Sequence, residues 1–221
     1  ILHIGIGGSA LGPKLLIDAL GRDGLRFDTK VVSNVDATAL AEAVKDMDPK
    51  ATLVAVASKT FTTTETLMNA ESALEWMREG GVEDPYGQLI ALTAAPEKAM
   101  EWGVDQNRIL PFAERVGGRY SLWCSIGFPV AAALGWGAFE ELLEGAAEMD
   151  RHFRSAPLAA NAPVMAAFAD LYYAQVRKCQ TRAVFAYDER LRLLPDYLQQ
   201  LEMESNGKSV TADGAPLGRA S

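Results

Sequence analysis

The amino-acid sequence predicts an α/β fold: a parallel sheet held between two layers of helices, a three-layer αβα arrangement. Three observations predict it. Short apolar runs recur along the first half of the chain, without the alternation of a half-solvated strand. Helix-period segments separate these runs. Glycine-rich or hydroxyl-rich turns sit where a strand ends and a helix begins. Repeated strand–helix units of this kind bury their strands on both faces.

Leu2 to Ile6 is the first run, followed by a glycine turn and a helix through Leu15, Leu16 and Leu20. Lys30 to Val35 is a second strand, and Asp36 is placed to cap a helix through Leu40 and Val44. Thr52 to Ala57 is a third, before a long helix carrying Leu67, Leu74 and Met77. Gln88 to Thr93 and Arg108 to Phe112 complete the set, with a short helix between them. The pattern changes after Gly117-Gly118. Ser121 to Leu134 reads as an apolar helix kinked at Pro129. Phe139 to Phe153 and Pro163 to Cys179 read as two more helices, Arg182 to Tyr187 as a new strand, and Leu194 to Met203 as a last helix. The expected organisation is one α/β domain over residues 1–150, a helical connection over 151–180, and the start of a second α/β domain over 181–221.

Composition narrows the function classes. The chain has 221 residues, enough for a sizeable core, and 49% of them are hydrophobic, as in ordinary globular proteins. A net charge of -8 argues against non-specific nucleic-acid binding and against an anionic membrane surface. No apolar run is long enough to span a bilayer and no secretory signal is present, so a cytoplasmic location is expected. Cys124 and Cys179 are too few for a disulfide framework, and both are expected as reduced thiols in the core. The chain begins at Ile1, inside a strand-like run, and stops at Ser221 in a Gly/Ala/Pro-rich segment. Both ends are expected to be cut.

The candidate chemistry lies at strand-to-helix turns. The first supplies Gly5, Gly7, Gly8, Ser9 and Gly12, whose backbone N–H groups can approach an anion at a helix N-terminus. Gly5, Gly7 and Ala10 also fit the dinucleotide pattern G-x-G-x-x-G/A, with Asp36 as a possible ribose acid. A turn needed only for tight packing is the plain alternative. Ser58-Lys59-Thr60-Phe61-Thr62-Thr63 opens another helix. One hydroxyl is enough to cap it, whereas four hydroxyls and a lysine favour a phosphate cradle. Gly117-Gly118-Arg119-Tyr120-Ser121 offers Arg119 as a fixed cation for developing negative charge, or as a surface arginine beside a capping serine. In the last helix Gln200 and Glu204, four residues apart, share a face. Glu202 is turned roughly 200° from Glu204 and faces elsewhere. Glu204 is the candidate acid/base group, with Gln200 as its neighbour. No His/Cys spacing for a metal is present.

Four segments, in this order, closely resemble the glucose-6-phosphate isomerase family: Gly7 to Pro13, Ser58 to Thr63, Gly117 to Ser121 and Met203 to Lys208. The resemblance spans nearly the whole chain. It implies a sugar-isomerase (SIS) domain, most of which lies in this chain, and the opening of a second. It implies interconversion of glucose 6-phosphate and fructose 6-phosphate through an enediol(ate), in glycolysis and gluconeogenesis, by a homodimer without metal or redox cofactor. Ser58, Lys59, Thr60 and Thr63 would hold the 6-phosphate, Gly8 and Ser9 would line the sugar pocket with Gly118 and Gln200, Arg119 would stabilise the intermediate, and Glu204 would move the proton. One carboxylate that alternates as base and acid suffices for that transfer.

The departures are equally specific. The family uses a ring-opening histidine and a C-terminal lysine. His3 lies in the first strand and reads as a core histidine, and His152 reads as part of a solvated helix face. Neither lies in a matching motif, so both of the family's groups are expected beyond Ser221. A chain of this extent is expected to be weakly active or inactive alone. The rival readings are a non-catalytic phosphosugar-binding SIS module and a nucleotide-binding Rossmann protein. A sensor needs no proton-shuttling carboxylate, and NAD(P) binding would mark the Rossmann case.

Overall fold

The computed structural model describes residues 1–217. Five strands form one parallel sheet: β1 (Leu2–Gly5), β2 (Lys30–Val32), β3 (Val54–Ala57), β4 (Leu89–Thr93) and β5 (Ile109–Pro111). Their spatial order is β2-β1-β3-β4-β5, so β1 and β3 are neighbours inside the sheet. The intervening helices are α1 (Leu11–Leu20), α2 (Ala37–Val44), α3 (Thr64–Glu79) and α4 (Pro96–Glu101). Asp36 caps α2 as the sequence predicts, its carboxylate accepting from the Thr38 and Ala39 N–H groups.

The uninterrupted apolar runs have a simple cause: alternate residues of each strand are buried on opposite faces. Leu2, Ile4, Val54, Val56, Leu89 and Ala91 point into a core shared with α2, α3 and α4. Val31, Ala55, Ala57 and Leu92 point to the other side. There they meet α1, α5 (Phe128–Leu134), α6 (Trp136–Ser155) and the turns around Leu122 and Ile126. The three-layer αβα arrangement is therefore present.

Beyond the sheet the chain continues through α7 (Ala162–Leu171), a π-helical turn (Tyr172–Val176) and α8 (Leu194–Asn206). Four expectations are corrected here. Pro129 kinks nothing: it lies in the first turn of α5, where a missing N–H is harmless, and tight turns over Gly118–Trp123 and Ser125–Gly127 precede it. The helix from Pro163 stops short of Cys179, which is exposed rather than core. Arg182 to Tyr187 forms no strand among the described residues. Its aromatic side chains are open to solvent, Tyr187 being 97% exposed, and a strand depends on a paired neighbour. His152 is not simply solvated, because its Nε2 accepts the Ala162 N–H at 3.0 Å and ties α6 to α7.

The segment before α8 is clasped to α1 by ion pairs. Asp18 accepts both Nη2 and Nε of Arg192, at 2.7 and 3.1 Å, and Nη2 of Arg22 at 3.1 Å. Arg190 reaches Asp23 at 2.8 Å, and Arg22 donates to the Glu189 carbonyl at 2.9 Å. Tyr197 then packs α8 against the core of α1, α5 and α6. These contacts lay α8 over the first turn of the sheet domain.

Leu74 is 1% exposed at the centre of the α3–sheet core. Leu74→Ala is expected to lower the unfolding free energy by about 3 kcal/mol, measured by urea denaturation.

Candidate functional site

In parallel sheets the turns at the carboxyl ends of the strands are where ligands bind. Gly5 and Ala57 are register partners at the ends of β1 and β3. The two turns that follow, Ile6–Ser9 and Ser58–Thr63, therefore start side by side.

The first turn depends on glycine at two positions. Gly7 has φ of 56°, in the left-handed region, and a Cβ there would lie 2.7 Å from Gln200 Nε2. At Gly8 a Cβ would lie 2.4 Å from the Gly118 carbonyl carbon and oxygen and 2.5 Å from the Arg119 nitrogen. The Gly118–Arg119 peptide thus rests directly on Gly8. Ser121 Oγ holds that peptide from the other side by donating to the Gly118 carbonyl at 2.6 Å. Ser9 is buried, and its carbonyl accepts from His3 Nε2 at 2.7 Å. His3 is fully buried, as expected, and burial lowers its pKa to about 4, so the ring is neutral at neutral pH.

Arg119 projects from this junction towards α8. Its Nη1 is 3.1 Å from Glu204 Oε1. Its Nε and Nη2 both donate to Ser205 Oγ, at 3.0 and 2.7 Å. Its guanidinium lies 5.0 Å over the Tyr120 ring. The arginine is 19% exposed and the glutamate 49%, so a held cation faces a more accessible carboxylate. Arg119 is no free surface arginine. At the end of α8 Lys208 Nζ donates to the Glu204 carbonyl at 2.8 Å, closing the helix C-terminus with a cation. Glu202 faces away, as its helical angle requires, and takes the Asn206 amide instead.

The second turn is a separate cluster. Phe61 anchors it: the ring is 3% exposed, meets Trp102 edge-on at 5.8 Å, and sits at a φ of 51° that L side chains rarely adopt. Lys59 is fastened through its carbonyl, which accepts from Ala94 N–H and Thr93 Oγ1. The hydroxyls flank this anchor. Ser58 Oγ is 3.0 Å from Thr63 Oγ1, and Thr62 donates to Thr60 at 2.8 Å. Thr63 stands at the N-cap of α3, yet no side chain caps that helix. The hydroxyls bond one another and leave the first N–H groups of a 16-residue helix uncapped by any side chain. That arrangement suits an anion better than it suits helix capping.

All the predicted site residues thus fall in two adjacent groups. Gly8, Ser9, Gly118, Arg119, Gln200 and Glu204 interlock, and Ser58, Lys59, Thr60 and Thr63 line the next strand end. Two residues were missed. Ser205 holds the arginine, and its sequence signal is its place next to Glu204 in the Met203 to Lys208 segment. His3 supports the glycine turn from below, which nothing in a buried strand sequence announces. Among the described residues no cluster of His, Cys, Asp and Glu could hold a metal ion.

A family profile for phosphoglucose isomerase matches residues 1–220. The chain belongs to the phosphoglucose isomerase family. It is 72% identical over 217 residues to the glucose-6-phosphate isomerase of Rhizorhabdus wittichii, covering 98% of this chain and 43% of that protein. It is 72% identical over its whole length to that of Novosphingobium aromaticivorans, covering 44% of the relative. The crystal structure of a glucose-6-phosphate isomerase from Chlamydia trachomatis superposes with a TM-score of 0.87 at 32% identity, over 99% of this chain and 42% of that one. The chain therefore spans less than half the length of these phosphoglucose isomerases. Asp36, the ribose acid of the dinucleotide reading, instead caps α2 through Oδ1.

Two outcomes follow from this geometry. Gly8→Ala should force Gly118 and Arg119 away from β1, lowering stability by about 2 kcal/mol and separating Arg119 from Glu204, as melting curves and a crystal structure of the variant would record. His3 imposes a pH dependence. Unfolded, its ring takes up a proton near the ordinary 6.5, but folded only near 4. The cost to stability is absent above about 6.5, grows as pH falls towards 4, and levels off below, at about 3 kcal/mol. Urea melts across that range should show this slope in the native chain and lose it in His3→Gln.

Proposed function

We propose that this chain supplies the phosphate cradle, the cation and the proton-transfer base of an aldose–ketose isomerase that interconverts glucose 6-phosphate and fructose 6-phosphate. The observation that carries the reading is the pairing of Arg119 with Glu204 at 3.1 Å, beside an open, hydroxyl-rich helix N-terminus. The matching relatives are named glucose-6-phosphate isomerases, which agrees with it.

The chemistry follows from the groups present. The 6-phosphate docks at the α3 N-terminus against Ser58, Lys59, Thr60 and Thr63. The opened sugar lies across Gly8, Ser9 and Gly118, with its C1–C2 end at Gln200, Arg119 and Glu204. Glu204, as carboxylate, takes the proton from C2 of the aldose, and the carbonyl oxygen at C1 gains the negative charge. Arg119 stabilises that enediolate. The O2 hydroxyl proton passes to O1, the protonated Glu204 returns its proton to C1, and the ketone forms at C2. Arg119 exchanges part of its contact with Glu204 for the sugar oxygens as the substrate arrives.

The reading places residues 1–150 in a first SIS domain, 151–180 in a connection, and 181–221 at the start of a second. It places the chain within a longer, dimeric and cytoplasmic enzyme. Two features support a larger assembly: the relatives are more than twice as long, and Phe153, Phe168, Leu171, Tyr173 and Phe185 leave an apolar surface that calls for cover. The unpaired cysteines fit a reducing compartment.

Glu204→Gln in an isomerase of the relatives' length that contains this chain should lower turnover about 100-fold or more while fructose 6-phosphate still binds. Stopped-flow turnover and calorimetric titration read the two separately. Retained turnover would remove Glu204 from the role of base.

A further inference from the structure

We propose that Ser205 is a positioning residue for this reaction: its hydroxyl holds the Arg119 guanidinium so that one edge stays aimed at the reacting oxygens. The inference rests on the isomerase reading above and adds a residue to it.

A guanidinium offers two edges for bidentate hydrogen bonding. The side edge of Arg119, Nε with Nη2, is occupied by Ser205 Oγ at 3.0 and 2.7 Å. The end of the fork faces Glu204 through Nη1 at 3.1 Å. An arginine only donates, so Ser205 Oγ accepts both bonds. The serine's own hydrogen has a destination one helical turn back, at the Leu201 carbonyl, 3.4 Å away. All of its hydrogen-bonding capacity is therefore directed, and its orientation is set by α8 itself. The same helix carries Glu204 at the preceding position. One rigid element thus sets both the base and the orientation of the cation.

The choice of a neutral acceptor has a consequence. A carboxylate in this place would orient Arg119 equally well but would cancel the charge needed by the enediolate. A hydroxyl orients without neutralising. If the hydroxyl is removed, the side edge of the fork is free. Nothing then stops Arg119 from rotating to grip both oxygens of Glu204, a strong bidentate pair. The base would be held away from C2, and the cation would be turned from the sugar oxygens. Sugar-phosphate binding relies on the other turn and would be spared.

The test uses the isomerase of the relatives' length containing this chain, as wild type, Ser205→Ala, Ser205→Thr and Glu204→Gln. The alanine variant is expected to lose about 10- to 100-fold in kcat, the range for a hydrogen bond to a charged group, with KM for fructose 6-phosphate within about twofold. It should lose affinity by a similar factor for a sugar-acid phosphate, whose planar carboxylate copies the enediolate. The threonine variant keeps the oxygen and should restore most of both. Unchanged kcat and analogue affinity in Ser205→Ala would overturn the proposal. So would a loss shared equally by kcat, KM and melting temperature that threonine fails to rescue, because that pattern is structural. A wild type without isomerase turnover would instead overturn the isomerase reading beneath it, and an active Glu204→Gln enzyme would remove Glu204 from the role of base.

Discussion

The site depends on one backbone contact. Gly8 and the Gly118–Arg119 peptide are so close that no side chain fits between them. On one side of this contact lies β1, an interior strand held in register by β2 and β3. On the other lies an irregular turn with no ladder of its own, fastened by Ser121 and by the packing of Leu122 and Ile126. Without the contact, Arg119 would hang from a loop. With it, the arginine is referenced to a strand that is buried throughout. His3 serves the same end from inside the sheet, fixing the Ser9 carbonyl at the end of the turn.

Glu204, the proposed base, reaches the site by a different physical route. It belongs to a helix that packs mainly on α1 and on the turns at Gly7–Ser9 and Gly118–Trp123. Its position comes from the Asp18, Arg22, Arg190 and Arg192 clasp and from Tyr197, all acting near the helix start. Exposed ion pairs are weak one by one, but here several share partners and close on one short segment. The two halves of the site then lock on each other through Arg119, Glu204 and Ser205. Positioning therefore runs from apolar burial at the sheet to charge pairing at α8. The end nearer solvent is the one that exchanges contacts with the sugar in the proposed reaction.

Much of this was legible in the sequence. Strands buried on both faces announced themselves by unbroken apolar runs, and Asp36 by its place before Leu40 and Val44. The Gln200–Glu204 face and the solvated Glu202 followed from helical angle alone. What failed has a shared cause. Arg182 to Tyr187 has strand-forming residues, but a strand is stabilised by its neighbours and none of the described residues pairs with it. Pro129 was misjudged because a proline mid-run looks the same whether it bends a helix or begins one. Cys179 was misjudged because composition says nothing about which apolar segments find cover.

The hydroxyl cluster bears on two readings that share a sequence. Ser58, Thr60, Thr62 and Thr63 at a helix start fit capping and anion binding equally. A capping role requires an oxygen on the N–H groups of the first turn. The oxygens instead bond in pairs, Ser58 with Thr63 and Thr60 with Thr62, and α3 begins with no side-chain cap. The loop also keeps Phe61 in a left-handed conformation, which the burial of its ring against Trp102 sustains. A segment selected only to start a helix has no use for either feature. Held hydroxyls around uncapped N–H groups at the positive end of a 16-residue helix favour the anion reading proposed for this turn. A phosphate fits that arrangement, in agreement with the proposed function.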